Sequence, residues 1–577
     1  MMNTLSSDPI HAMVPEVPVA SGVIPARKGL PGIKLSLWVV ITVYIVASLC
    51  LLPAYVYQIN PDGVSYISIA RKYLAGDFRG SINAYWSPLY SWMLTPFLLV
   101  GLPPLLASKV LSVLIAIAAF IAVWKLAENL NLSKDSRTSL SLTLIPIFLF
   151  MGFSGIAPDF LSTTVVLIYL AHLTKPDYLE SRFSGAYSGF WGALGYLSKA
   201  YVMWFFLIHF LAACSTLFIS HRTVKRNVVR VVVTGLVTFS VIAGVWVALI
   251  SQKYGKFTTA SAGTYSFLLW GPHSRGPHGS MRAMQGNQCL PDEGFLPPPN
   301  PTAVSAWEDP TYIDITKLKW NPFGSKAEFK HELKIIKNNI KNFILNFNLF
   351  SLLWSAIMAA TVLVAGGRSD PPPVRPVLLL TLAVLVYPLG YWLFSVESRY
   401  LYPVPVLLLL LGFFVVENAD WVRIGPVRRY AAVTVLCASF LPLPAWELIR
   451  SLGTGREIRE EAVTLADVVP VCSRVASDSH WSDALYLSFY NNYKYYGVPR
   501  SEADPSEVND KLKRFKIDYF FVWDGPVRYP PDAGWWSGRS PGWDGPARYP
   551  FEKGWSEVSH GLVPGLKIFR APWYPGP

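Results

Sequence analysis

The 577-residue chain is 52% hydrophobic and only 15% charged, against roughly 25% charged residues in an ordinary soluble domain. Its mean hydropathy is +0.34. These values exclude a disordered chain, a collagen-like chain and a typical cytosolic globule, and leave a multi-span membrane protein. The net charge of +13, from 50 basic and 37 acidic residues, is therefore read by its side of the bilayer, and no nucleic acid is expected as a partner.

In chain order, residues 1–32 are polar and rich in Pro, Gly and Ser, with Arg27 and Lys28 near their end. A cleavable signal puts its basic residues first and follows them with a short apolar run. Here the run after Lys34 lasts about 20 residues, enough to span a bilayer. A disordered cytoplasmic tail over 1–32 and a permanent first helix are expected. Apolar runs fall at 34–55, 105–127, 138–157, 160–173, 185–198, 200–218, 230–251, 344–365, 376–394, 400–417 and 429–449. They predict a polytopic α-helical protein with about eleven transmembrane helices.

Charge supports that count. With the tail inside, the short inner loops are all basic: Lys125, Lys134 and Arg137; Lys175 and Arg182; Arg222, Lys225, Arg226 and Arg230; Arg368 and Arg375; Arg423, Arg428 and Arg429. The alternation puts loop 56–88, the Pro158-Asp159 turn, the turn at Lys199, loop 252–343, the turn at 396–399 and the chain from residue 450 on the outer side. A membrane domain over 33–449 then works outward, beneath a small extracytoplasmic α/β domain over 450–577. In that domain 473–477, 518–523 and 566–570 read as strands, and 481–490 and the segment ending at Lys516 as helices. The octapeptide at 523–530 recurs with one change at 543–550. Two copies are too few for a solenoid, and a duplicated Gly/Pro-rich loop is expected. In loop 252–343, residues 327–347 set Phe329, Leu333, Ile335, Ile336, Ile340 and Phe343 among lysines, as in a helix lying on the membrane or leading into the next span.

The five cysteines are Cys50, Cys214, Cys289, Cys437 and Cys472, with no metal-ligand spacing. Only Cys289 and Cys472 lie in polar segments, and whether they bond is not readable from sequence.

The chemistry concentrates at the outer helix ends. Asp62 follows the first span and opens a helix-like run to Leu74 that sets Tyr66, Ile69, Ala70 and Tyr73 on one face. Taken alone, Asp62 suits a helix cap, and Arg71 and Lys72 suit lipid headgroups. Five segments follow one another: Asp62-Gly-Val-Ser-Tyr66, Trp86-Ser-Pro-Leu-Tyr90, Pro158-Asp159, Gly195-Tyr-Leu-Ser-Lys199 and Glu397-Ser-Arg-Tyr-Leu-Tyr-Pro403. Their order resembles that in the GT-C superfamily of membrane glycosyltransferases, in the branch of aminoarabinose transferases and protein O-mannosyltransferases. One departure is Gly63, where many members carry a second acid.

The resemblance implies transfer of a sugar from a polyprenyl-phosphate donor to an acceptor on the outer face of the plasma (inner) membrane, with inversion. The phosphate already leaves well, so one carboxylate to take the acceptor proton and cations for the departing phosphate suffice, and the carboxylate pair of glycosidases is not expected. By this resemblance Asp62 is the general base, and Asp159 a second acid for acceptor or metal. Lys199 and Arg399 are the lipid-phosphate ligands, with Glu397 orienting Arg399. Tyr66, Trp86 and Tyr90 are substrate-binding residues. A divalent metal is a candidate cofactor, with Asp159 and His273 as candidate ligands and His278 beside them. Without the resemblance, Asp159 suits a cap after Pro158, Lys199 and Arg399 suit snorkelling helix ends, Glu397 a surface ion pair, and the histidines a solvated loop. The partners are the lipid-linked donor, membrane lipids, and a glycan, lipid or protein acceptor that the sequence does not name. The alternatives are a lipid-linked oligosaccharide ligase or oligosaccharyltransferase, a secondary transporter, and a non-catalytic scaffold.

Overall fold

The computed structural model describes residues 35–220, 225–273, 295–366, 374–419, 425–499, 505–523 and 554–575. The tail at 1–32, His278, Cys289, the basic residues Arg222, Arg368 and Arg423, and the repeated octapeptide apart from Trp523 lie outside the described residues.

The chain is helical for most of its length. In order come α1 (Leu37–Tyr55), α2 (Pro61–Leu74), α3 (Phe78–Ser81), α4 (Leu89–Leu99), α5 (Pro104–Asn129), α6 (Lys134–Phe153), α7 (Asp159–Leu173), α8 (Ser184–Ser198), α9 (Tyr201–Ser220), α10 (Lys225–Tyr254) and α11 (Ala262–Leu269). Each of the eleven apolar runs has a helical counterpart. Among the described residues seven helices are long and apolar enough to cross a membrane, or eight with one bent pair. Two features separate the eleven apolar runs from the seven or eight helices of that length. First, α7, α8 and the Pro403–Asn418 helix have only 15, 15 and 16 residues. They are largely buried among their neighbours, so their apolar surface meets protein more than lipid. Second, the run at 344–365 is not one helix: Lys326–Phe350 and Trp354–Gly366 meet at 84°. Ser351 is the cause. Its backbone is extended (φ −165°, ψ 128°), and its hydroxyl accepts from Leu353 N (3.2 Å) and pairs with Ser439 (2.8 Å). One helix stops and the next begins at that hydroxyl.

α8 carries glycines where it is in close contact with α10. A Cβ on Gly189 would stand 2.1 Å from the carbonyl oxygen of Gly235, and one on Gly185 2.3 Å from that of Val231. Small residues let two membrane helices approach until their backbones touch. Gly189→Ala is therefore expected to cost about 1–3 kcal/mol, the usual range for overpacking, read as a lower melting temperature of the detergent-purified protein.

The connectors predicted on one side do meet. Arg230 donates to the carbonyl of Leu179 (3.2 Å) and Arg375 to that of Leu173 (3.2 Å). The candidate site residues gather at the other ends of the same helices.

The C-terminal region is α/β. Its five-stranded sheet has the order β2-β1-β3-β5-β4, with β1 Arg474–Ser477, β2 Lys494–Tyr495, β3 Tyr519–Trp523, β4 Ser556–Glu557 and β5 Leu566–Arg570. β1 is parallel to β2 and β3, whereas β5 is antiparallel to β3 and β4. The three strands read from sequence are β1, β3 and β5. β2 and β4 have two residues each, too short for an alternation to register. β3 is buried at all five positions. One hydrophobic core runs from the helices into the sheet, including Val475, Leu485, Tyr495 and Phe521. Cys472 is exposed.

Candidate active site

α2 starts where Pro61 takes the first helical position, a place that needs no N–H. The N-cap is Asn60, so Asp62 is not the cap. The Asn60 side chain instead accepts from Ile156 N (2.8 Å). That bond ties the start of α2 to the turn before α7, which Asp159 opens. Two acids 97 residues apart in sequence are thereby brought to one place. The same contact explains Gly63. A Cβ there would lie 2.7 Å from Ile156 Cβ, so an acid at 63 has no room.

Arg399 is the hub. It sits on the 3-10 turn Ser398–Leu401. Its Nε donates to Glu397 (2.9 Å) and its Nη1 to Asp62 (2.7 Å), with Asp159 at 4.0 Å from Nη1. Lys199, in extended backbone at the end of α8, donates to Asp159. Its ammonium stands over the Tyr400 ring at 3.9 Å, with Tyr391 at 5.7 Å. Burial alone would lower Arg399, but Asp62 and Glu397 outweigh it and hold the guanidinium firmly charged. Burial draws Lys199 downward, against the opposing pull of Asp159. Three carboxylates thus share two cations, and their side chains are 6–19% exposed. At that depth Glu397–Arg399 is no surface pair, and the lysine is no free snorkelling end.

The aromatic residues form a wall beside this cluster. Tyr66 packs edge-on against Trp86 (5.2 Å) and Tyr90 (5.4 Å). Tyr85 packs on Trp86 (4.6 Å) and Trp307 (5.5 Å), and Trp307 reaches Trp481 of the C-terminal region (6.4 Å). Burial first, then the Asp62 charge, pushes the Tyr66 and Tyr85 phenols well above the ordinary range. Tyr85 was not singled out from the sequence, although it adjoins Trp86.

His273 is half-exposed and lies 3.8 Å from Glu328; it does not join Asp159. Among the described residues no three His, Cys, Asp or Glu side chains converge to hold a metal. In the cluster itself, Lys199 and Arg399 occupy the space between the carboxylates.

Of the two basic residues expected at lipid headgroups, Arg71 is exposed and Lys72 is turned inward. Arg71 stands over the Phe489 ring of the C-terminal region (5.0 Å). Lys72 is buried and pairs with Glu308, which also accepts from Ser68. Glu308 belongs to a tripeptide that clasps the first loop. Trp307 O accepts from Trp86 Nε1 (3.1 Å) and Ser65 (3.3 Å), and Glu308 O from Asn83 (2.7 Å). Asp309 accepts from Tyr254 (2.6 Å) and Lys253 (3.2 Å) at the end of α10. The sequence held no spacing signal for these acids, which lie far along the chain in a long loop. Glu308→Ala leaves the Lys72 ammonium buried and unpaired, which costs about 3–5 kcal/mol. Thermal unfolding should show that loss, and Glu308→Gln should recover part of it.

The bundle with its charged helix ends has the fold seen in solved structures of an aminoarabinose transferase and an oligosaccharyltransferase. The structure is similar to that of the aminoarabinose transferase ArnT from Cupriavidus metallidurans bound to undecaprenyl phosphate. The TM-score is 0.55 and the identity 12%, over 94% of this chain and 99% of that one. The apo form of the same enzyme gives 0.52 and 13% over the same shares. An oligosaccharyltransferase from Archaeoglobus fulgidus in the apo form gives 0.53 and 10%, over 84% of this chain and 69% of that one. No protein-family model matches the sequence, and no curated protein matches it.

Proposed function

We propose that the protein transfers a sugar from a polyprenyl-phosphate-linked donor to an acceptor on the extracytoplasmic face of the plasma (inner) membrane. The observation that carries this reading is the convergence of Asp62, Asp159, Glu397, Lys199 and Arg399 in one partly accessible cluster. A donor phosphate competes with Asp62 for the Arg399 fork, a geometry suited to both carboxylate and phosphate. The exchange frees the Asp62 carboxylate to accept the acceptor hydroxyl proton. The acceptor oxygen then bonds to the anomeric carbon from the face opposite the phosphate. The carbon–oxygen bond to phosphate breaks, its electron pair stays on the phosphate, and the configuration inverts. Arg399 and Lys199 neutralise the charge that develops there. Asp159 holds Lys199 and faces the acceptor. Tyr66, Tyr85 and Trp86 form the apolar wall against which a sugar ring packs.

The alignment to nearly all of the aminoarabinose transferase, against 69% of the oligosaccharyltransferase, favours transfer of a single sugar over a whole glycan. Extraction of the purified protein tests the donor class. Polyprenyl phosphate should co-purify with it, and addition of lipid-linked sugar and acceptor should release more. Solute uptake by proteoliposomes, with no lipid turnover, would point to a transporter instead.

A further inference from the structure

The Lys326–Phe350 helix carries a surface that the sugar-transfer reading does not use. At about 100° per residue, Lys326, Lys330, Lys334, Lys337 and Lys341 fall within roughly 80° of its circumference. All five are exposed, and none has an ion-pair partner among the described residues. Beside them runs an apolar stripe. Phe329, Leu333 and Ile344 are 44%, 50% and 43% exposed, and Ile336 and Ile340 are half-buried between them. The opposite arc holds the helix to the protein. Ile335, Asn339 and Asn346 are buried there, and Asn339 donates to Trp392 O (3.0 Å). The helix's two acids also lie on that side: Glu332 is buried, and Glu328 accepts from Ser325 (2.9 Å). The lysines therefore have no counter-charge within their stripe.

We propose that this face binds the anionic phospholipid headgroups of the leaflet on the active-site side. Apolar side chains next to lysines give the two depths of an interfacial helix: the apolar stripe enters the acyl boundary, and the long lysine stems carry their charge back to the phosphates. The 84° turn into Trp354–Gly366 suits this placement, since a following helix that dips into the bilayer leaves the lysine helix near its plane. An acidic protein partner would account for the lysines and leave the adjoining apolar stripe without a use.

Two measurements on the full-length protein in nanodiscs of phosphatidylcholine and phosphatidylglycerol test this, and neither needs a sugar donor. With the native cysteines replaced by Ser, a nitroxide at Leu333→Cys should favour collisions with oxygen. One at Asn338→Cys, outside the apolar stripe, should favour a water-soluble nickel chelate. Second, wild-type protein extracted from the discs should retain phosphatidylglycerol enriched at least threefold over its share. Changing the five lysines to Gln should bring that ratio close to one, as should high salt on the wild type. Equal nickel access at both labels overturns the proposal, as does unchanged enrichment in a folded Gln variant. So does crosslinking of the lysine stripe to a second protein chain. If the Gln variant does not fold, the label pair on the lysine-bearing chain still decides.

Discussion

Asp62→Asn is expected to abolish sugar transfer, with turnover falling by about 10²–10⁴-fold or more, the usual worth of a positioned general base. The amide keeps the size of the side chain but cannot take a proton. Folding should survive, because Glu397 still accepts from Arg399 Nε and Asp159 remains within reach of Nη1. Binding of polyprenyl phosphate should be unchanged or tighter, since the phosphate no longer competes with the Asp62 carboxylate for the guanidinium. Release of free polyprenyl phosphate from a lipid-linked donor, measured beside the melting temperature and lipid binding of the same preparation, decides the matter. Normal turnover would remove Asp62 from the role of base. Loss of activity together with loss of fold would make it structural.

Arg399→Gln should fail differently. It removes the fork that Asp62 and Glu397 share, so both donor binding and the resting cluster suffer. Hydrogen bonds to charged groups contribute about 1.5–3 kcal/mol each, so polyprenyl phosphate should bind about 10–100-fold more weakly. Arg399→Lys keeps the charge but offers one ammonium where the fork contacts two carboxylates, and an intermediate affinity is expected. Titration of undecaprenyl phosphate against each variant gives the order directly. A Gln variant that binds as tightly as wild type would transfer the phosphate-binding role to Lys199 alone.

The five charged residues of the cluster were legible because each lies at the end of an apolar run, where the topology gave it a side and the motif order gave it a neighbour. Their pairing was not. Asp62 with Arg399 is a contact across 337 residues, set by how α2, α7 and the Ser398–Leu401 turn pack. Gly63 shows the same limit. From sequence it was a missing acid; in the fold it is the space that Ile156 fills. Glu308 and Asp309 gave no signal at all, because their partners on α2 and α10 are brought to them only by the folded loop.

Composition and periodicity determined the membrane class, the position of every apolar run and three strands of the C-terminal sheet, and the resemblance added the order of the site motifs along the chain. These depend on local quantities: the hydrophobicity of a window, its period, and the sign of the charges that flank it. The tertiary structure decided which runs form long helices, where one breaks by 84°, and that Arg399 rather than solvent receives the Asp62 carboxylate. Those outcomes depend on helix length measured against neighbours and on distances between residues hundreds of positions apart, and no window of sequence contains either.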